Sequence, residues 1–144
     1  MSDLRNFVTF EADFTDDTEW DDDENLVVPG GKNVATTIHG HLVKRGTACT
    51  EPEQHGFYGW AFEVGQGSAR ICIVLQFAGP WLLIADPRRS IADRLLGRRR
   101  SDEVSSFLAT LRDTLEADNR FRSIQWYTKA EYDRQERGPG NATP

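Results

Sequence analysis

The sequence predicts one α+β domain, with a single antiparallel or mixed sheet of about five strands and two main helices packed on one face. Three patterns lead to this expectation. Val8, Phe10, Ala12 and Phe14 alternate with polar residues; the stretch from Phe57 to Ala85 reads as a strand meander; and apolar residues recur at helical spacing from Val34 to Leu42 and from Val104 to Leu115. Each helix has one apolar stripe to bury, which places both against the same side of the sheet.

The 144 residues suit one domain with one core. The chain reads as a domain over residues 1–133, with an acidic loop at 15–26 and a disordered tail at 134–144 that has little to bury. The first strand should turn Val8, Phe10, Ala12 and Phe14 inward and leave its other face in water. Thr15 to Asn25 holds seven acidic residues and no basic one, so repulsion should keep it extended and outside the core. Pro29-Gly30-Gly31 breaks the chain before the first helix, which Gly46 ends after Lys44 and Arg45.

In the meander, Tyr58, Trp60, Phe62 and Val64 share a core face, and Gly65-Gln66-Gly67-Ser68 forms the hairpin turn. Ala69 to Phe77 returns as a central strand and Trp81 to Ala85 follows it. A short helix is expected around Ile91 to Leu96, then a separate one from Ser101 or Asp102 to Asp118, capped at its start. The last strand, Phe121 to Thr128, should turn Ile124 and Trp126 inward.

A net charge of −6 disfavours nucleic acid and anionic membranes as partners and favours a protein with basic surface. No stretch approaches the roughly 20 apolar residues of a membrane span, and the start has no signal-peptide pattern, so a cytoplasmic location is expected. Cys49 and Cys72 are read as reduced core residues.

The partner-binding candidates are Asp16, Asp17, Glu19, Trp20, Asp21, Asp22, Asp23 and Glu24, joined by His55 and Phe57. Clustered carboxylates around an aromatic anchor can dock lysines or arginines; a solvated loop is the alternative. Calcium fails on spacing, because counting an EF-hand loop from Asp17 puts Asp22 and Val28 where glycine and glutamate belong. No metal or cofactor is expected. Pro29-Gly30-Gly31-Lys32-Asn33 lacks phosphate-loop spacing and reads as a helix start. Tyr58 and Trp60 are assigned to the core, leaving Phe57 and His55 for contact.

Two further readings stay open. His55 with Glu51 or Glu53 could form the acid/base pair of a small hydrolase or transferase, and Cys49 with His55 a nucleophilic pair. Arg88, Arg89, Arg94, Arg98, Arg99 and Arg100 could contact phosphates of a nucleic acid.

The Pro-Gly-Gly helix start, the Tyr58-Gly59-Trp60 strand, the Trp81-Leu82-Leu83-Ile84 strand and the helix before Ile124-Gln125-Trp126 together resemble small bacterial α+β proteins of unknown function, some of them immunity-like partners of toxins. The resemblance covers about Val28 to Tyr127 and implies protein binding.

Overall fold

The structure, a computed structural model, describes residues 4–87, 91–134 and 139–144, with residues 91–101 described by their backbone alone. In chain order the elements are β1 (Phe7–Ala12), β2 (Glu19–Trp20), β3 (Leu26–Val28), α1 (Lys32–Lys44), β4 (Ala48–Cys49), β5 (Glu53–His55), β6 (Gly59–Gln66), β7 (Ala69–Phe77), β8 (Trp81–Pro87), α2 (Ile91–Glu116), β9 (Phe121–Tyr127) and α3 (Lys129–Tyr132).

The expected single sheet of about five strands is overturned: the described residues are mostly sheet, with seven antiparallel strands in one sheet and two more, β2 and β3, in a separate ribbon, accompanied by three helices. The large sheet runs β4-β6-β7-β8-β1-β9, and β5 also pairs with β6. The added strands are two or three residues long, too short to carry an alternating pattern, and they pair through backbone groups that any sequence supplies.

One face of the sheet meets both long helices. Val8, Phe10, Trp60, Phe62, Val64, Ile71, Ile73, Leu75, Leu83 and Trp126 pack with Val34, Ile38 and Leu42 of α1 and with Val104, Phe107, Leu108, Leu111 and Leu115 of α2. The other face has its own smaller cluster, Phe7, Leu82 and Tyr127, onto which Tyr132 of α3 packs. β1 therefore lies between β8 and β9 with residues Phe7 to Phe10 all buried, rather than leaving one face in water.

α2 is one continuous helix where two were expected. Ser101, Asp102 and Glu103 suit a helix start, but no proline interrupts the run before them, and a capping sequence does not by itself end a helix. Ser68 at the β6–β7 turn donates its N–H and hydroxyl to the Glu103 carboxylate, so α2 also pins this hairpin. The turn is confined to Gly67-Ser68, with Gly67 at φ 59°.

Of the tail, residues 135–138 lie outside those described, whereas Asn141 exchanges two backbone hydrogen bonds with Trp126, at 2.8 and 3.0 Å. Among the described residues, no helix is long and apolar enough to cross a membrane.

Candidate functional site

The acidic stretch is ordered as a ribbon, because several of its carboxylates are used internally. Asp21 Oδ1 accepts the N–H groups of Asp23 and Asn25 while Oδ2 accepts from the Asn25 side chain, which closes the β2–β3 turn. These bonds, first of all that from the Asn25 N–H, hold the Asp21 carboxyl below its ordinary range. Asp16 Oδ1 accepts the hydroxyl and N–H of Thr18, which hold that carboxyl down in the same way.

Asp17 reaches across the sequence. Its two oxygens accept the N–H groups of Gly31 and Asn33, each at 2.8 Å, at the start of α1. Gly31 is the N-cap and has no side chain to offer, so Asp17 supplies the cap from 14 residues away. The glycine turn does meet an anion, and the anion is the chain's own.

The expected extended loop is instead a paired ribbon, because the turn held by Asp21 brings its two halves together; none of residues 15–25 joins the core, and Leu26 and Val28 just beyond them are half-buried. Glu19, Asp22, Asp23 and Glu24 are exposed and make no side-chain hydrogen bond or ion pair among the described residues. They are the carboxylates of the stretch that stay in solvent.

Between this ribbon and the end of the large sheet lies a cleft of about 420 Å³. Its floor is the Gly30-Gly31 turn, fixed from beneath by Trp60, whose buried indole N–H donates to the Pro29 carbonyl at 3.1 Å. The Trp81 ring lies against Gly31, where an added Cβ would stand 2.7 Å from two of its carbons; Gly31 is also at φ 100°. Phe77 meets Trp81 edge-on at 5.1 Å, Phe57 and Tyr58 rise from the β5–β6 turn, and Trp20 leans in from β2.

Four of these rings are unusually open: Trp20 is 62%, Phe57 65%, Tyr58 75% and Phe77 67% exposed. The core assignment of Tyr58 is thereby corrected. Trp60, two residues on, is buried against the core, but Tyr58 lies in the turn before β6 and lines the open cleft. Phe57 is exposed as expected.

His55, Glu53 and Glu51 are exposed on or beside the β5 edge, and none of them lines this cleft or the second one described below. An acid/base pair there would lie outside both clefts. Cys49 donates weakly to the Thr47 carbonyl, and burial pushes its thiol up to about 11, so it is a poor nucleophile. Neither cysteine is in a disulfide, and both are half-buried. Arg88 and Arg89, and the side chains of Arg94, Arg98, Arg99 and Arg100, lie outside the described residues.

A search of family models, curated proteins and solved structures finds no match to this chain.

A second cleft of about 630 Å³ lies beyond the Phe77–Trp81 pair, beside β1 and β9. Its charged groups neutralise one another: Arg122 pairs with Asp13 at 2.8 Å and with Glu11 at 3.8 Å, and Ser123 donates to Glu11. Among the described residues no group of three or more metal-ligating side chains is assembled. Of the first cleft's rings, Trp20 and Phe57 were candidates in the sequence; that Tyr58, Phe77 and Trp81 converge with them was not readable there.

Proposed function

We propose that this chain is a non-enzymatic protein-binding module, acting as an immunity or inhibitor protein that engages a basic partner through its acidic ribbon and the aromatic cleft beside it. The observation that carries this reading is the joining of two kinds of unused surface. Four aromatic side chains more than 60% exposed stand next to carboxylates that nothing within the described chain neutralises. Exposed rings in a contiguous patch serve as anchors at interfaces, and carboxylates around them steer a cationic partner and set its register.

The test is affinity capture on the immobilised chain, run in parallel with a variant carrying Glu19→Gln, Asp22→Asn, Asp23→Asn and Glu24→Gln. A basic protein retained by the native chain, released by salt and lost with the variant is the expected result. Asp17 and Asp21 are left intact because they hold the ribbon itself. Identical retention on both chains, or retention of no basic protein by either, refutes the reading.

A further inference from the structure

We infer that the cleft receives an arginine side chain from an extended basic segment of the partner protein, its guanidinium stacked on the open rings and facing the Asp16 carboxylate. The inference rests on the binding reading above and names what the cleft itself takes.

Charge selects a cation. The charged residues lining the cleft are Asp16 and Asp17, with no lysine or arginine among them. The nearby Lys32 is drawn off over the Trp60 ring, 5.8 Å from its centroid. An anion would find little to bind, since Asp17 already takes the Gly31 and Asn33 N–H groups and the Asn33 side chain takes that of Val34. Asp16 differs: Thr18 occupies Oδ1, while Oδ2 has no hydrogen-bond partner among the described residues.

The rings then select among cations. A lysine ammonium is compact and strongly hydrated, so it loses much on entering an apolar cleft. A guanidinium is planar and weakly hydrated, stacks on aromatic faces and still donates in its own plane to a carboxylate. The molecule already contains that pairing: the Arg120 guanidinium sits 4.6 Å from the centroid of Phe14 while donating to Asp118. Phe14 is itself part of the cleft lining. Glu19, Asp22, Asp23 and Glu24 continue the acidic surface along the ribbon, which suits an extended segment with further cations beside the arginine.

The experiment titrates the isotopically labelled full chain with a short peptide bearing a central arginine between flanking lysines, following the indole signals of Trp20 and Trp81. Matched peptides carry lysine or citrulline at the centre, and free arginine amide is a further arm. The arginine peptide should bind about fivefold tighter than the lysine peptide, the size of one cation–π contact, and the citrulline peptide should be weaker still. Tyr58→Ala and Asp16→Asn should each bring the arginine-to-lysine ratio close to one.

Equal binding of both cationic peptides, falling with salt and indifferent to Tyr58→Ala, overturns the inference while leaving the acidic docking function standing. Binding of neither peptide, with a natural partner still held by the ribbon carboxylates, overturns it in the same way. Free arginine amide binding as tightly as the peptide replaces the protein segment with a small cation. Concentration-dependent dimerisation abolished by Asp16→Asn replaces it with a second copy of the chain. If no basic protein is held either, the function itself fails along with the inference.

Discussion

Replacing Asp17 with alanine should loosen α1 and the ribbon together. The side chain satisfies two helix-start N–H groups at 2.8 Å each, in a turn whose own N-cap residue, Gly31, has no side chain. Losing a helix cap costs about 0.5–2 kcal/mol, and the attraction between a carboxylate and the positive end of a helix adds about 0.3–1 kcal/mol. A loss of about 2 kcal/mol is therefore expected. Unfolding entropy near 2.1 cal/mol/K per residue, over a chain of 144 residues, converts that into a fall in Tm of about 7 °C. Asp17→Asn, which keeps one acceptor oxygen, should lose about half as much.

The assay is urea and thermal unfolding followed by circular dichroism, with amide hydrogen exchange read at Gly31 and Asn33. Both amides should exchange faster in the alanine variant. The solvated neighbour Asp22→Ala, as a control, should stay within about 0.5 kcal/mol of the native chain. An Asp17→Ala chain within that same margin, with Gly31 and Asn33 as protected as before, would refute the capping argument.

Other outcomes follow from the same geometry. Hydrogen bonds from Arg120, and then from His41, hold the Asp118 carboxyl far below its ordinary range. Its contribution is complete above the unfolded carboxylate pKa of about 4 and is lost as pH falls below it. Asp118→Asn should accordingly flatten the acid side of a stability profile measured from pH 6 to pH 2, and parallel profiles would contradict this. Gly59→Ala should destabilise by about 3 kcal/mol or prevent folding, because its Cβ would stand within 1.9 Å of the Leu75 carbonyl oxygen; urea midpoints or soluble yield would show it. Phe57→Ser and Tyr58→Ser should leave the unfolding midpoint unchanged within about 0.5 kcal/mol while weakening partner capture, since neither ring is buried. In a Cys72→Ser background, Cys49 should react with iodoacetamide at pH 8 many times more slowly than a free thiol, because burial keeps it protonated.

Much of the fold was legible because burial writes a local period. The recurrence of Val34, Ile38 and Leu42, and of Val104 through Leu115, marks helix faces that are buried in the structure. Trp60, Phe62 and Val64 likewise alternate onto the core. The edge strands β4 and β5, the β2–β3 ribbon and the continuity of α2 were not legible. The strands pair through backbone, and the helix continues through residues suited equally to its interior and to its start.

The acidic run from Glu11 to Glu24 shows where this division falls. Its charge is a property of composition alone. Which of its carboxylates remain available was decided by the fold: Asp17 is committed to Gly31 and Asn33, far along the chain, and Asp21 to its own turn, while Glu19, Asp22, Asp23 and Glu24 stay in water. The aromatic positions divide in the same way. Tyr58 and Trp60 stand at alternate positions, yet one is 75% exposed and the other 6%. Alternation fixes a face only within a strand, and Tyr58 lies in the turn before β6 while Trp60 lies inside it, so where the strand begins decided which ring was covered. The sequence alone therefore determined a charged, aromatic, sheet-forming chain, and only its tertiary packing turned those residues into a cleft.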